Sequence, residues 1–255
     1  MFYESSDIFK KEAGHEIDGA WYPRVTKILE IKSKPALYRY YAEAPSFAVA
    51  EERTKKSAEE GTLIHEAVEK IFVGDKPEII DSISPAIEAV KDFLATNNFK
   101  VEPDHVERKV LNKDEAYSGT IDAMAIINGK FGVLDIKTSQ SIYRDYNLQT
   151  AAYMGQLTKE FPNLETRWIM RVDQQKKCLK CGASLRSKGG NDKIKSKTFN
   201  SQTCKENNHE WSSLKGIVQL KEFPFWQNDF KAFLAAKYLW QWENEYMLKK
   251  IGYLK

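Results

Sequence analysis

Apolar residues recur at helical spacing in two stretches of the first hundred residues. Ile64, Ala67, Val68 and Ile71 do so within residues 54–72, and Ile87, Val90 and Leu94 do so after Ser84-Pro85. Steps of three and four place each set on one face of a helix that can pack on a sheet. Ser84-Pro85 reads as an N-cap followed by the first helical residue. With Pro35, Pro45, Pro77 and Pro85 as punctuation, the chain to about residue 98 is predicted to be mainly helical.

From about residue 104 the pattern changes to strands: DHVERKVL, YSGTIDAMAII and KFGVLDIKT, with Asn128-Gly129 as a hairpin turn between the last two. A helix over residues 146–158 and the apolar run RWIMRV follow, so the DIK strand, the helix and RWIMRV form a parallel crossover. The strand GIVQLKEF and a helix over residues 227–249, with Phe230, Phe233 and Leu234 inward, close a mixed-sheet α/β chain.

At 255 residues, 42% hydrophobic, the chain can bury one substantial core or a core plus a small module. No apolar run approaches the roughly 20 residues that span a bilayer, and MFYESSDIFKKEAGHEIDGAW lacks a signal peptide's apolar stretch, so a cytoplasmic protein is expected. The net charge of +3 is unevenly distributed: residues 173–216 carry ten lysines and arginines against four carboxylates, leaving the rest net acidic. Such a stretch is an electrostatic footprint for polyanions, with a solvated loop as the ordinary alternative.

The candidate chemistry lies in His65, Asp122, Asp135 and Lys137. A period of two puts Thr120, Asp122 and Met124 on one strand face and Val133, Asp135 and Lys137 on the next, so the carboxylates can converge across the hairpin. Two aspartates, a histidine and a backbone carbonyl, that of Ile136, would suit a hard divalent ion such as Mg²⁺, which polarises a phosphate and activates water. Lys137 could hold that water or offset charge developing on phosphorus. Taken singly, an Asp-x-Lys on a strand is ordinarily a solvated face, and a histidine beside an apolar stripe is ordinarily a packed one. For Gly61 and Gly119 the ordinary reading is relief of backbone strain. The conjunction is what points to phosphodiester hydrolysis.

In this order, GTLIH, GTID, LDIKT and QTAAY resemble the successive motifs of RecB-like PD-(D/E)XK nucleases, a group that includes the mitochondrial genome maintenance exonucleases and many phage exonucleases. The likeness spans residues 21–172, where WYPRVTKILE resembles the N-terminal segment of the phage-type members, and resumes at Gly216. It implies a restriction-endonuclease-like core, a mixed sheet flanked by helices, with His65, Asp122 and Asp135 binding the metal and Lys137 as the catalytic lysine. Gln149 and Tyr153 match the family's helical glutamine and tyrosine, which orient the site or the DNA; helix packing is their alternative role. Glu107 occupies a place where some relatives carry an acid, but it is not tied to a distinctive motif and stays outside the expected site. Thr138 and Ser139 could donate to a phosphate or serve turn chemistry.

Cys178, Cys181, Cys204 and His209 form a C-x2-C, x22, C-x4-H array, which suits a tetrahedral structural Zn²⁺. The iron–sulfur cluster of some relatives uses four cysteines split between the two ends of the domain, a pattern absent here. The segment is too short and polar to bury a core, so metal would supply its folding free energy. Lys176, Lys177, Lys180, Lys193, Lys195 and Lys197 would then grip DNA phosphates. The expected organisation is an N-terminal helical region and nuclease core (1–172), a basic zinc-finger-like insertion (173–216) and a strand and helix completing the core (217–255). The expected activity is a metal-dependent deoxyribonuclease, an exonuclease or flap-processing enzyme acting on single-stranded DNA or DNA with a free end. A non-catalytic nucleic-acid-binding module of the same fold and a zinc-stabilised docking protein are the competing readings.

Overall fold

In a computed structural model, residues 3–196, 204 and 208–255 are described. Helix α1 (Ser6–Ala13) leads into a hairpin of β1 (Gly14–Ile17) and β2 (Ala20–Pro23), then α2 (Val25–Ile28), α3 (Pro35–Glu43), α4 (Phe47–Phe72) and α5 (Ser84–Thr96). Strands β3 (Phe99–Val101), β4 (Arg108–Asn112), β5 (Tyr117–Ile121), β6 (Ala123–Ile127) and β7 (Lys130–Lys137) precede α6 (Tyr146–Glu160). The rest is β8 (Thr166–Lys177), β9 (Ser184–Lys188), β10 (Asn191–Lys195), β11 (Lys215–Glu222), α7 (Gln227–Glu243) and α8 (Glu245–Lys250).

The predicted hairpin forms β6 and β7, with Ile127 opposite Lys130 and both turn residues at positive φ, 52° at Asn128 and 83° at Gly129. Two consecutive left-handed residues are what a tight hairpin requires and what Asn-Gly adopts most readily. Strand β7 pairs in parallel with β8 across α6, as the crossover pattern predicts, and β11 adds antiparallel to β8. The seven-stranded mixed sheet lies between two apolar layers. Val133, Met124, Tyr153, Met154 and Phe233 belong to the layer under α6 and α7. Leu134, Ile136, Ile64, Val68, Ile87 and Val90 belong to the layer under α4 and α5. The alternation Val133/Leu134 therefore divides β7 between two faces, and Lys137 shares Val133's parity.

Several boundaries differ from the pattern. The N-terminal region contains the β1–β2 hairpin, packed on β5 where His15 Nδ1 lies 3.0 Å from Ser118 Oγ. Helix α4 starts seven residues before the predicted position 54, at an N-cap in which Ser46 Oγ accepts from the Val49 amide at 3.2 Å. Its first turns are largely exposed and leave little apolar stripe to read. The terminal helix breaks at Asn244, whose side-chain amide donates to the Trp240 carbonyl at 2.8 Å and competes with the helical ladder. The stretch expected as one long strand, YSGTIDAMAII, divides at Asp122, because β5 pairs with β4 in a separate two-stranded sheet while β6 stays with β7. Among the described residues, no helix is long and apolar enough to cross a membrane.

The basic segment is built into the sheet. Strand β8 runs on to Lys177, Lys176 and Lys177 pair with Leu185 and Ser184, and β9 turns back through β10. Lys177, Lys180, Lys193 and Lys195 are exposed and Lys176 is half-buried. Lys197 falls outside the described residues.

Candidate active site and metal centres

The division at Asp122 makes the site. Up to Ile121, odd residues face α6, with Tyr117 and Ile121 in that layer; beyond the break Met124 occupies it, while Ala123 and Ala125 face α4 and α5. Thr120, Asp122 and Met124 therefore do not share one uninterrupted strand face as the period-two reading expects. The alternation slips by one residue, and Asp122 sits where β5 and β6 part. Pairing of β6 with β7 ends at Ala123 and Leu134, which frees the β7 edge beyond it. Asp122 Oδ2 accepts from the Ile136 amide at 2.5 Å across that gap. A strand residue's N–H and C=O point to the same side, so the Ile136 carbonyl faces the same edge.

Helix α4 brings His65 to this point, with Nε2 3.0 Å from Asp122 Oδ2 and Nδ1 hydrogen-bonded to Glu69. His65, Glu107 and Asp122 each offer a ligand atom within 4.8 Å of the others. Glu107 reaches them from a left-handed backbone, φ 50°, pinned by its amide donating to the Asp122 carbonyl at 3.0 Å. Strained non-glycine residues of this kind concentrate at functional sites. Both Asp135 oxygens lie 2.7 Å from Lys137 Nζ, but only Oδ1 receives an aligned hydrogen bond, and Oδ2 is buried without a donor.

His65, Asp122, Lys137, Gln149 and Tyr153 line one cleft of about 350 Å³, together with Glu107, His15, Arg24 and Thr26. Asp135 stands behind Lys137 rather than in the His65–Glu107–Asp122 cluster. Gln149 Nε2 donates to Tyr153 Oη at 3.3 Å, one helical turn away. Gly119 and Gly61 have close approach, not backbone strain, as their reason: a Cβ on Gly119 would lie 2.6 Å from the Tyr153 ring, and one on Gly61 2.6 Å from Thr138 Oγ1. Ser139 Oγ donates to the Ser141 carbonyl at 2.7 Å, the turn role. Sequence reasoning left out Glu107, Glu69, His15, Arg24 and Thr26; an acid in a strand preceding GTID was a usable signal for the first, and none marked the others.

Burial would lower the His65 pKa, but hydrogen bonds to Asp122 and Glu69 outweigh it and raise it to about 10. Burial pushes Asp135 up to about 6 against the attraction of Lys137, and burial with the neighbouring Glu69 brings Glu107 to about 7. A bound cation would reverse the direction for the carboxylates. The raised His65 pKa fixes the sign of a pH effect. Its ion contacts contribute stability fully below the ordinary imidazole pKa, about 6.5, and that stability is lost as pH rises through about 10. Without added divalent ion, the thermal midpoint should therefore fall across this range more steeply in the parent than in His65→Gln. The comparison must be differential, because Lys188, lowered by burial to about 8, works in the opposite sense. Parallel curves would mean that His65 is neutral in the folded protein.

A second cluster lies in the basic segment. Cys178, Cys181, Cys204 and His209 place ligand atoms within 4.8 Å of one another, with Cys178 Sγ 3.8 Å from Cys204 Sγ and Cys181 Sγ 3.5 Å from His209 Nδ1. Gly182, at φ 71°, closes the knuckle, its amide donating to the Cys178 carbonyl at 2.9 Å. Burial opposes ionisation of Cys178, but amides of Cys181, Lys180 and Glu210 and the His209 side chain bring it down to about 5. The four side chains are thus placed to hold a metal ion.

No family model and no curated protein matches this sequence. Among solved structures, the crystal structure of SSO0001 aligns over 89% of this chain and 93% of its own, at 15% identity and a TM-score of 0.34. A similarity of that size carries no argument about function.

Proposed function

We propose that this chain is a metal-dependent deoxyribonuclease with a RecB-like PD-(D/E)XK core and a structural zinc in its inserted segment. The observation that carries the reading is the meeting of His65, Glu107 and Asp122 where β5 and β6 part, in a cleft that Lys137, Gln149 and Tyr153 also line, with Asp135 directly behind Lys137. The donor set fits a hard divalent ion: carboxylates, a strand carbonyl and one imidazole, with a buried Asp135 oxygen that no donor satisfies. His65, Asp122 and Glu107, whose ligand atoms lie within 4.8 Å of one another, would hold Mg²⁺ or Mn²⁺, with Asp135 and the Ile136 carbonyl as the further members of the proposed set. Such an ion supplies Lewis acidity toward the phosphate and a more acidic bound water.

The chain's own groups do the rest. Lys137, whose ammonium form is favoured by Asp135 and Asp122 despite burial, presents positive charge where an attacking water and a charged phosphorane would sit. Gln149 and Tyr153 present an amide and a phenol on one helical face and orient the nucleotide or the water. Arg24 adds a cation to the cleft wall. Exposed Lys177, Lys180, Lys193 and Lys195 offer phosphate contacts outside it. For the second cluster, three thiols and an imidazole are the ligands of a closed tetrahedral zinc site.

The test is digestion of 5′- and 3′-labelled single-stranded and duplex DNA with Mg²⁺ or Mn²⁺ and with EDTA. Label should be released from DNA with a free end only when divalent metal is present. Salt-sensitive binding without cleavage in either metal would leave a nucleic-acid-binding module instead.

A further inference from the structure

The cysteine segment touches both halves of the candidate active site. Strand β9 begins three residues after Cys181, and the knuckle joins it to the end of β8 through the Cys178 amide, which donates to the Ala183 carbonyl at 2.8 Å. The returning chain closes the same point: the Leu179 amide donates to the Glu210 carbonyl at 2.8 Å, and Lys177 and Ser212 bond each other. From this base β9 runs to the end of β7. There Arg186 and Lys188 both donate to the Thr138 carbonyl, at 3.0 and 2.7 Å, one residue beyond Lys137. Asp173 on β8 fixes Arg186 at 2.7 Å and Arg171 at 2.7 Å, and Arg171 holds the Ser139 carbonyl at 2.8 Å.

The other side of the hairpin rests on α4, which carries His65. A Cβ on Gly189 would meet the Arg53 carbonyl at 2.2 Å, so the turn is seated directly on the helix backbone. Lys193 Nζ lies 5.5 Å from the centre of the Tyr40 ring in the preceding helix. Thr138 is thus held by β9 at its carbonyl and abuts Gly61 of α4 at its side chain. A solvated DNA-gripping loop would not spend two cations on one backbone carbonyl, nor bury Lys188.

We infer that the β9–β10 hairpin is a strut between the His65 helix and the Lys137 strand, anchored by the metal-loaded Cys178–Cys181–Cys204–His209 cluster, with Arg186 and Lys188 as positioning residues. The catalytic part of this inference rests on the nuclease reading. Its mechanical part does not: metal in the cysteine cluster should order residues 137–141 whether or not the protein cleaves DNA. Small displacements of reacting groups cost heavily, about 100-fold for about 1 Å.

The experiment combines amide hydrogen exchange of residues 137–141 with turnover at saturating DNA, KM and DNA affinity. Lys188→Met and Arg186→Gln should speed exchange there and lower kcat about tenfold or more with little change in KM, and Lys188→Arg should recover most of both. Cys181→Ser, which loses a ligand, should do the same; if it fails to fold, zinc depletion and readdition in the parent replaces it. Unchanged exchange at residues 137–141 in Lys188→Met, or after zinc depletion, overturns the strut. Weakened DNA affinity with exchange and kcat intact also overturns it and returns the segment to DNA gripping. Altered exchange in a parent that cleaves no DNA keeps the strut and removes the nuclease reading.

Discussion

Lys137→Met should lower cleavage by about 10²- to 10⁴-fold at saturating DNA and Mn²⁺ while leaving the folded structure in place. The ammonium lies 2.7 Å from Asp135 and faces the cleft shared by His65, Asp122 and Tyr153, so its loss removes the cation proposed to accompany the attacking water or the developing charge. Methionine keeps much of the stem, including the apolar path beside the Tyr146 ring, 5.2 Å from Nζ. A buried carboxylate without its partner is ordinarily costly, but burial already raises Asp135 to about 6, so protonation relieves the charge. Asp135→Asn should be as inactive, since it removes the proposed ligand oxygen itself. Turnover close to the parent in either folded variant would mean that phosphodiester chemistry does not use this pair.

What the sequence could reveal of this site follows from the length scale of each signal. Asp135 and Lys137 are two apart on one strand and Gln149 and Tyr153 four apart on one helix, so local periodicity places each pair. The Asn128-Gly129 turn sets the register that carries Asp122 toward Ile136, and the crossover to β8 follows from handedness and loop length. The parting of β5 from β6 has no such signal. YSGTIDAMAII reads as one strand because no turn residue marks a break at Asp122, and only the tertiary choice of β4 as partner for β5 divides it. Glu107 becomes visible by the same event, because the amide that positions it donates to the carbonyl of the residue at the break.

The inward-facing cations of the basic segment were hidden for a related reason. Charge counting treats every lysine as solvated, yet Lys188 and Arg186 face inward onto a carbonyl at the end of β7. The arginines of RWIMRV hide the same feature, since both Arg167 and Arg171 are buried. A buried guanidinium such as that of Arg167 is legible only once its partners, scattered from Asn147 to Asp229, have been brought together.

Arg167→Met should be the most damaging single change to stability outside the apolar layers, about 3–5 kcal/mol. The side chain is 1% exposed and donates to the Phe223 carbonyl at 3.1 Å, the Phe225 carbonyl at 3.2 Å and the Asn147 carbonyl at 2.5 Å, and to Asp229. It therefore ties β8 to the start of α6 and to the connection that brings α7 onto the core. Methionine fills part of the volume but leaves the Phe223 and Phe225 carbonyls without their Arg167 donor, the Asn147 carbonyl with only Thr150 Oγ1 at 3.4 Å among its side-chain donors, and Asp229 without its charge partner. Asp229→Asn should cost less, since Arg167 keeps its carbonyls, and the two changes together should cost less than their sum because one network is lost only once. The consequence should reach the cleft before global unfolding. Asn147 and Thr150 share α6 with Gln149 and Tyr153, so loosening the first turns of α6 moves groups that line the site. Urea unfolding followed alongside DNA cleavage should show the variant losing activity at lower urea than it loses helical signal. A loss under about 1 kcal/mol would mean that water replaces the guanidinium at those carbonyls and that the C-terminal strand and helix hold by apolar packing alone.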